Sequence, residues 1–386
     1  MKKIANIAIL ISSLLLISCY SGNKKKAMNK DSVEINVATE TIAFPVSEVL
    51  NLKSYYLSVA YSNDSLRLIY GYNYKTHSLD CMNLSTLQIS QINFMEEGVG
   101  AVMRPLSGVY VHNPDSIWVY DASQRALLVN GNGAVLETLN LRNGLGDSEV
   151  ILVNSNYAMN TAGLYYDQEH HSLLYGVKDL STTPVSFRIC ETFLDGSTPA
   201  KNYSLKPSVV IPDVANGDYA NMSEVNISFG REKIVYNYPV ESHLYILDRH
   251  SLHTEVVEAD SHFTRNEAFK CSSKDYAQWE RHGIENPHFY DVMYLPAVDM
   301  YARLHVGEKE FDTTKDLSEL INGRDLYLMF FDKNFLKIGE TKLLSCRYSF
   351  FTGWCAVDDG VLLYIDNALD DNNAVESLQA DIVKIK

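Results

Sequence analysis

Four short apolar runs, VYVH, SIWVYD, RALLVN and AVLETLNL, follow one another between Val109 and Leu141, separated by Asn113-Pro114-Asp115, Asp121-Ala122-Ser123 and Gly131-Asn132-Gly133. Runs of this length, β-branched or alternating and punctuated by Asn, Pro, Asp and Gly, predict a four-stranded antiparallel meander. A single sheet of this kind cannot bury both of its faces, so it requires neighbours.

The rest of the chain supplies them. Strands equivalent to SIWVYD begin at Ser65, Ser116, Ser172, Lys233, Met300 and Val361, spaced 51 to 67 residues apart. Each follows a polar or acidic turn: Asn63-Asp64, Pro114-Asp115, His170-His171, Arg231-Glu232, Val298-Asp299 and Asp358-Asp359-Gly360. Third strands follow as LDCMNL, RALLVN, FRICETF, LYILD, LYLMFFD and ADIVKIK, and the sixth meander stops at Lys386 after three strands. The unassigned run SVEINVATETIAF, Ser32 to Phe44, would complete it, removing an exposed sheet edge and joining the two ends. The expectation is an all-β chain forming a six-bladed β-propeller of four-stranded antiparallel blades, the last closed by the N-terminal strand. Seven blades remain open if the long intervals hide a degenerate repeat.

Those intervals exceed the roughly 40 to 50 residues of familiar blades, so insertions are required. Residues 262–283 carry one, with Thr264 and Glu267 placed as a capping box and Tyr276 and Trp279 on an apolar edge ended by Gly283. Residues 313–323 carry another, with Leu317, Leu320 and Ile321 on one helical face. Both belong over blades four and five, as a docking surface or a patch on a sheet edge.

Ahead of the propeller, Lys2 and Lys3 precede a continuous apolar stretch from Ile4 to Ile17, too short for a transmembrane helix and flanked as a secretory signal. The run Leu16-Ile17-Ser18-Cys19 resembles the bacterial lipobox, which implies removal of residues 1–18 and acylation of Cys19. Each buried methylene contributes about 0.8 kcal/mol, so two or three chains anchor stably. Residues 19–31 then read as lipidated cysteine and polar tether, and 32–386 as one domain. Tyr20 stands where inner-membrane retention signals often carry Asp, which points to an outer-membrane lipoprotein. The basic Lys24, Lys25 and Lys26 differ from the acidic clusters of surface-exported lipoproteins and favour the periplasmic face, with surface display left open.

Loss of the signal, with two lysines and no acid, takes the formal charge from −15 to −17. Such a polyanion is a poor partner for nucleic acid. Five cysteines remain besides Cys19, so at least one thiol is free or intermolecular. Only Cys346 and Cys355 are close enough in sequence to bridge a hairpin, and their disulfide status stays open. Cys81 and Cys190 sit in apolar strand patterns, where a thiol behaves as a small hydrophobe.

The run GYNYKTHSLDCMNL, then Gly98 to Gly100, HNPDSIWVYD and GNGAVL, resembles an uncharacterised family of propeller-like lipoproteins from Bacteroidetes. The similarity is clearest from Tyr55 to Leu141. It implies the propeller and the lipid anchor, and it brings no catalytic residues.

Chemistry-bearing motifs are sparse. The sequence has no nucleophile elbow, zincin motif, C-x-x-C, Walker loop or G-x-G-x-x-G, and it lacks the Asp-box, WD and kelch signatures. His170-His171 and His250-x-x-His253 lack metal-site spacing and read first as solvated turn residues. Asp366 to Asn373 offers oxygen ligands without the glycine and glutamate of an EF-hand, so a polar loop is the simpler reading. No cofactor and no metal is expected. Asp64, Asp115, Glu232 and Asp299 could converge at one channel mouth as paired acids do in glycosidases, although an Asp in an equivalent turn more simply caps its own backbone. Ser32, Ser65, Ser116 and Thr313 follow Asp as in the O-glycosylation acceptor of Bacteroidetes, and Ser32, just beyond the tether, is the plausible site.

Tyrosines cluster on the first strands, which line a propeller's channel. Tyr55, Tyr56, Tyr61, Tyr110, Tyr165, Tyr166, Tyr290 and Tyr294 more simply serve inter-blade packing than a sugar-stacking platform, and among them Tyr61, Tyr110, Tyr165, Tyr290 and Tyr294 are the candidate ligand-binding residues. Two functions fit: a binding or interaction module for an envelope protein partner or a glycan, without catalysis, or a carbohydrate hydrolase or lyase using channel carboxylates.

Overall fold

The computed structural model describes residues 34–45, 57–152, 163–216, 218–271, 275–349, 353–371 and 377–386. The signal stretch, Cys19, Ser32, Tyr55 and Tyr56 lie outside them.

Strand β1 (Val37–Pro45) leads the described chain. The first sheet is β2 (Ser58–Ser62), β3 (Arg67–Asn73), β4 (Ser78–Asn83) and β5 (Ile89–Asn93). The second is β6 (Leu106–Asn113), β7 (Ser116–Asp121), β8 (Arg125–Val129) and β9 (Val135–Asn140). The third holds β10 (Glu149–Ile151), β11 (Leu164–Asp167), β12 (Ser172–Asp179), β13 (Ser186–Phe193) and β14 (Lys201–Ser204). The fourth is β15 (Asn226–Ser228), β16 (Lys233–Asn237), β17 (Leu244–Asp248) and β18 (Thr254–Val257). The fifth follows helix α1 (Tyr276–Glu285) and contains β19 (His288–Leu295), β20 (Met300–Val306), β21 (Leu326–Phe331) and β22 (Lys337–Lys342), with helix α2 (Leu317–Asn322) between β20 and β21. The sixth comprises β23 (Trp354–Val357), β24 (Gly360–Tyr364), β25 (Ser377–Ile385) and, as its outer strand, β1. The result is a six-bladed β-propeller closed by the N-terminal strand.

The hydrophobic core is divided among the blade interfaces. Along β7, Ile117 and Val119 pack towards blade one, while Trp118 and Tyr120 pack towards blade three. The period of two in the sequence therefore feeds both interfaces of every blade. Phe44 and Ile42 on β1 join Ile69, Met82 and Leu362 between the sixth and first blades. Closure thus buries apolar surface as well as pairing backbone.

The turns use the predicted polar residues as local caps. Asn63 Oδ1 accepts Ser65 N and Leu66 N, both at 2.9 Å. Asp248 Oδ1 accepts His250 N at 3.0 Å and Ser251 N at 2.7 Å. These are Asx turns, in which a side-chain oxygen satisfies backbone donors that the hairpin leaves free.

Three features depart from expectation. The inner strand of blade three is split: β10 pairs with the Val177–Asp179 end of β12, and β11 pairs with its Ser172–Tyr175 end. Helix α1 is capped by Asp275, whose carboxylate accepts Ala277 N at 3.2 Å, and not by Thr264, whose hydroxyl donates to the Arg265 carbonyl at 3.1 Å. It also runs past Gly283 to Glu285, because Asn286 Nδ2 donates to the His282 carbonyl at 2.9 Å and finishes the last turn. The second insertion contains α2, capped by Asp316 and with Leu320 fully buried.

Strand direction puts both insertions on the same end of the propeller, since Val306 lies opposite both His288 and Leu326. Arg324 fastens them: its Nη1 and Nη2 donate at 2.6 Å to the carbonyls of Gly283 and Asn286, and its Nε at 2.9 Å to that of Gly307. The opposite end carries the turns between first and second strands of each blade.

Candidate functional site

The inner strands of all six blades enclose a central cavity of about 380 Å³. Its lining residues lie towards the end where first strands turn into second strands, as Ser62, Phe229, Pro296 and Asp358 show. The cavity has three kinds of wall. Blades six and one contribute small side chains, including Ser58, Ala60, Cys355 and Ala356, which leave the axis open. Blades two, three and four contribute rings. Tyr110 meets Tyr165 edge-on at 5.2 Å between centroids, and Tyr165 stacks on Phe229 at 6.3 Å with 22° between planes. Such separations fall within the favourable range for aromatic pairs.

Blades five and six contribute carboxylates. Asp291 is only 6% exposed and lies at a register shift between Phe289 and Val292, where β19 carries one residue more than β20 opposite. A bulge of this kind re-aims side chains and bends the strand. It places Asp291 on the cavity wall while its neighbour Tyr290 packs between blades. Asp358, nearer the mouth, takes a 2.6 Å ion pair from Arg67 Nε of the first blade. Among the described residues, no lysine, arginine or histidine lines the cavity.

Hydroxyls complete the lining. Ser58 Oγ lies 3.1 Å from Tyr364 Oη. Ser228 Oγ is buried and has no hydrogen-bond partner among the described residues. Burial pushes the Tyr110 phenol up to about 12, reinforced by Tyr165, Asp167 and Tyr166, and burial likewise raises Tyr165. Both phenols are neutral hydrogen-bonding groups at neutral pH.

Of the five candidate tyrosines, Tyr110, Tyr165 and Tyr294 line the cavity. Tyr294 stands at the mouth, half exposed, and its hydroxyl donates to Asp299 Oδ1 at 3.1 Å. Tyr61 and Tyr290 do not line it. Tyr61 is partly buried against the cluster between blades one and two and accepts from Asn63 Nδ2 at 3.1 Å. Tyr290 is buried between the fifth and sixth blades, 4.4 Å from the His288 ring and 4.8 Å from Trp354. The pleat explains both: their side chains point to a blade interface where adjacent residues face the axis. Phe229, Asp291 and Ser228 were missed, although an acid inside the apolar run HFYDVMYL was a visible signal.

The turn acids Asp64, Asp115, Glu232 and Asp299 are exposed and do not line the cavity. His250 and His253 are exposed turn residues. His170 lies 2.9 Å from Asp167 and falls within metal-ligating reach of Asp167 and Glu191. That space belongs to Arg249, whose Nη1 lies 2.7 Å from Asp167 and Nη2 3.0 Å from Glu191. In the Asp366–Asn373 loop, Asn367 is buried and donates to the carbonyls of Asn322 and Tyr348, at 2.9 and 3.0 Å, so its side chain holds α2 against the sixth blade. Cys81, Cys190, Cys271, Cys346 and Cys355 are free, and burial pushes the Cys355 thiol up to about 12.

A family model described as a domain of unknown function, DUF4221, matches residues 26–342. The chain belongs to the DUF4221 family. The DUF4221 match ends with the fifth blade, and the sixth completes the ring beyond it. A solved DUF4221 member from Bacteroides vulgatus is similar over 92% of this chain and 99% of its own, with a TM-score of 0.73 at 16% identity. A Bacteroides fragilis protein described as exported is similar over 93% of this chain and 98% of its own, with a TM-score of 0.52 at 12% identity. At such identities the likeness concerns the fold. No curated protein matches the sequence.

Proposed function

We propose that this DUF4221 protein is an envelope-anchored binding module that holds a glycan end or a partner's side chain in its central cavity without turning it over. The observation that carries this reading is the arc formed by Tyr110, Tyr165 and Phe229, three rings that line the cavity from three consecutive blades. The volume, about 380 Å³, suits one sugar ring or one large side chain. The hydroxyls of Ser58, Ser228 and the two tyrosines supply orienting hydrogen bonds. A glycosidase needs two carboxylates facing the scissile bond. Here the four turn acids stand outside the cavity, and of the two acids on its wall, Asp291 and Asp358, the second is engaged by Arg67, which favours binding over hydrolysis.

The anchor rests on Lys2, Lys3, the apolar stretch to Ile17 and Cys19, and the exported neighbour from Bacteroides fragilis agrees with that address. Among the described residues no helix is long and apolar enough to cross a membrane, and the proposed attachment is through acyl chains on Cys19. The outer membrane, on its periplasmic side, is the proposed location, with Ser32 as the glycan acceptor next to the tether.

Glycan arrays on the acyl-free domain, together with cross-linking of the lipoprotein in its native membrane, test the reading. A reproducible ligand should appear and be lost from Tyr165→Leu. Capture left unchanged by both Tyr110→Leu and Tyr165→Leu would contradict it.

A further inference from the structure

We infer that the ligand of the central cavity is the uncharged, hydroxyl-bearing end of a glycan. The inference rests on the binding reading above and deepens it by choosing a sugar over a partner's side chain. Hydroxyl-bearing residues line the cavity from five blades: Ser58 and Ser62 on the first, Tyr110 on the second, Tyr165 on the third, Ser228 on the fourth and Tyr294 on the fifth. Apolar residues such as Val109 and Leu164 stand between them. A hydroxyl both donates and accepts a hydrogen bond, so a wall of hydroxyls matches a ligand whose own groups do both. A sugar presents such groups around a ring whose C–H bonds pack against apolar surface. An ammonium only donates, a carboxylate only accepts, and an aliphatic or phenyl side chain does neither.

Ser228 carries the inference furthest. Its Oγ is buried and has no hydrogen-bond partner among the described residues. A buried hydroxyl left unmatched destabilises the fold, and a ligand hydroxyl beside it removes that cost. The hydroxyls of Tyr110 and Tyr165 take no hydrogen bond among the described residues either, and burial keeps both phenols protonated and able to donate. Ser58 Oγ, 3.1 Å from Tyr364 Oη, is oriented by that contact and retains a further hydrogen-bonding position. Neither wall acid is required: Asp358 is paired with Arg67 at 2.6 Å, and Asp291 has a partner within the protein.

The test titrates the protein with the methyl glycosides of glucose, galactose, mannose and N-acetylglucosamine. Tetrahydropyran serves as a ring without hydroxyls and N-acetylphenylalaninamide as a peptide side chain, and NMR of the labelled Met293 methyl in the cavity wall reads binding. At least one glycoside should bind about tenfold or more tightly than both controls, as two hydrogen bonds of ordinary strength would give. Ser228→Ala should weaken that glycoside about three- to tenfold and leave the controls unchanged. Tyr110→Phe and Tyr165→Phe, which remove a hydroxyl and keep the ring, should do the same. If Ser228→Ala does not fold, deoxy derivatives of the tightest glycoside on the wild type provide the same check, at least one of them losing the same factor. Either control binding as tightly as every glycoside would overturn the sugar assignment and leave the binding reading intact. Glycoside affinity unchanged in all three variants would also overturn it. No response at Met293 to any probe would overturn both.

Discussion

Val37 lies opposite Ile385, at the start of a nine-residue register that runs to Pro45 opposite Ser377 and closes the propeller. The first and last described strands therefore share one sheet. Unfolding any blade must expose two interfaces, and this one is shared by the two chain ends.

Phe44 is 1% exposed on that closing strand and packs between the sixth and first blades. Phe44→Ala should destabilise the protein by about 3 to 5 kcal/mol, the usual effect of emptying a buried phenylalanine site. Urea unfolding of the wild type and the variant would check this. A loss below about 1 kcal/mol would show that the ring holds without its closing strand.

Arg249 bridges the buried Asp167 and Glu191, and His170 also lies 2.9 Å from Asp167. Arg249→Met leaves two carboxylates buried together and should cost about 3 to 5 kcal/mol. Since the guanidinium occupies the space a cation would need, EDTA should leave the melting temperature of the wild type unchanged. A chelator-induced drop would show a metal competing with Arg249.

Glu340 is 1% exposed, with Ser261 Oγ at 2.6 Å and Lys337 Nζ at 2.8 Å. Burial alone would raise its carboxyl, but the adjacent His305 imidazole and the donors Lys337 and Ser261 outweigh it and hold the group at about 2, against 4.5 for a free glutamate. A depressed acid contributes stability that is present above its unfolded value and lost as pH falls through its folded value. About 3 kcal/mol should therefore disappear between roughly pH 4.5 and pH 2. Denaturation series across that window should show the slope in the wild type and a flatter one in Glu340→Gln.

Arg303 is fully buried beside two phenylalanines, its guanidinium 4.9 Å from the Phe289 ring, and it donates to the carbonyls of Ser242 and Ala259 at 2.8 and 3.0 Å. Burial pushes the guanidinium down to about 10, yet it remains charged at neutral pH. Arg303→Met should cost about 2 to 4 kcal/mol by leaving two carbonyls without donors. Arg303→Lys should recover only part, because an ammonium lacks the planar fork that reaches both. Equal stability of the Lys variant and the wild type would show that charge alone matters.

The blade count and ring closure were legible because they depend on a repeated local pattern: turn acids before strands, and a period of two that feeds both interfaces of each sheet. The site was legible only in part. Tyr110, Tyr165 and Tyr294 belong to first strands, as their positions indicated, and those strands do line the channel. Which face of the strand each residue presents depends on register. Tyr61 and Tyr290 fall on the wrong side of the pleat, and Asp291 reaches the right side through a bulge. A bulge inserts one residue without altering the apolar pattern around it, so no periodicity reveals it. The true cap of α1 was obscured for a similar reason: Thr264 and Glu267 have capping-box spacing, while the chain continues to Asp275 before a helix begins.

The most direct test of the account is methyl NMR with every methionine labelled. Met293 lines the cavity, whereas Met95 and Met103 are exposed on loops at the opposite end of the propeller. On titration with the ligand recovered from the envelope, the account predicts that the Met293 methyl shifts and saturates while those of Met95 and Met103 stay in place. Shifts at Met95 and Met103 with Met293 unmoved would place binding on the far face and contradict it.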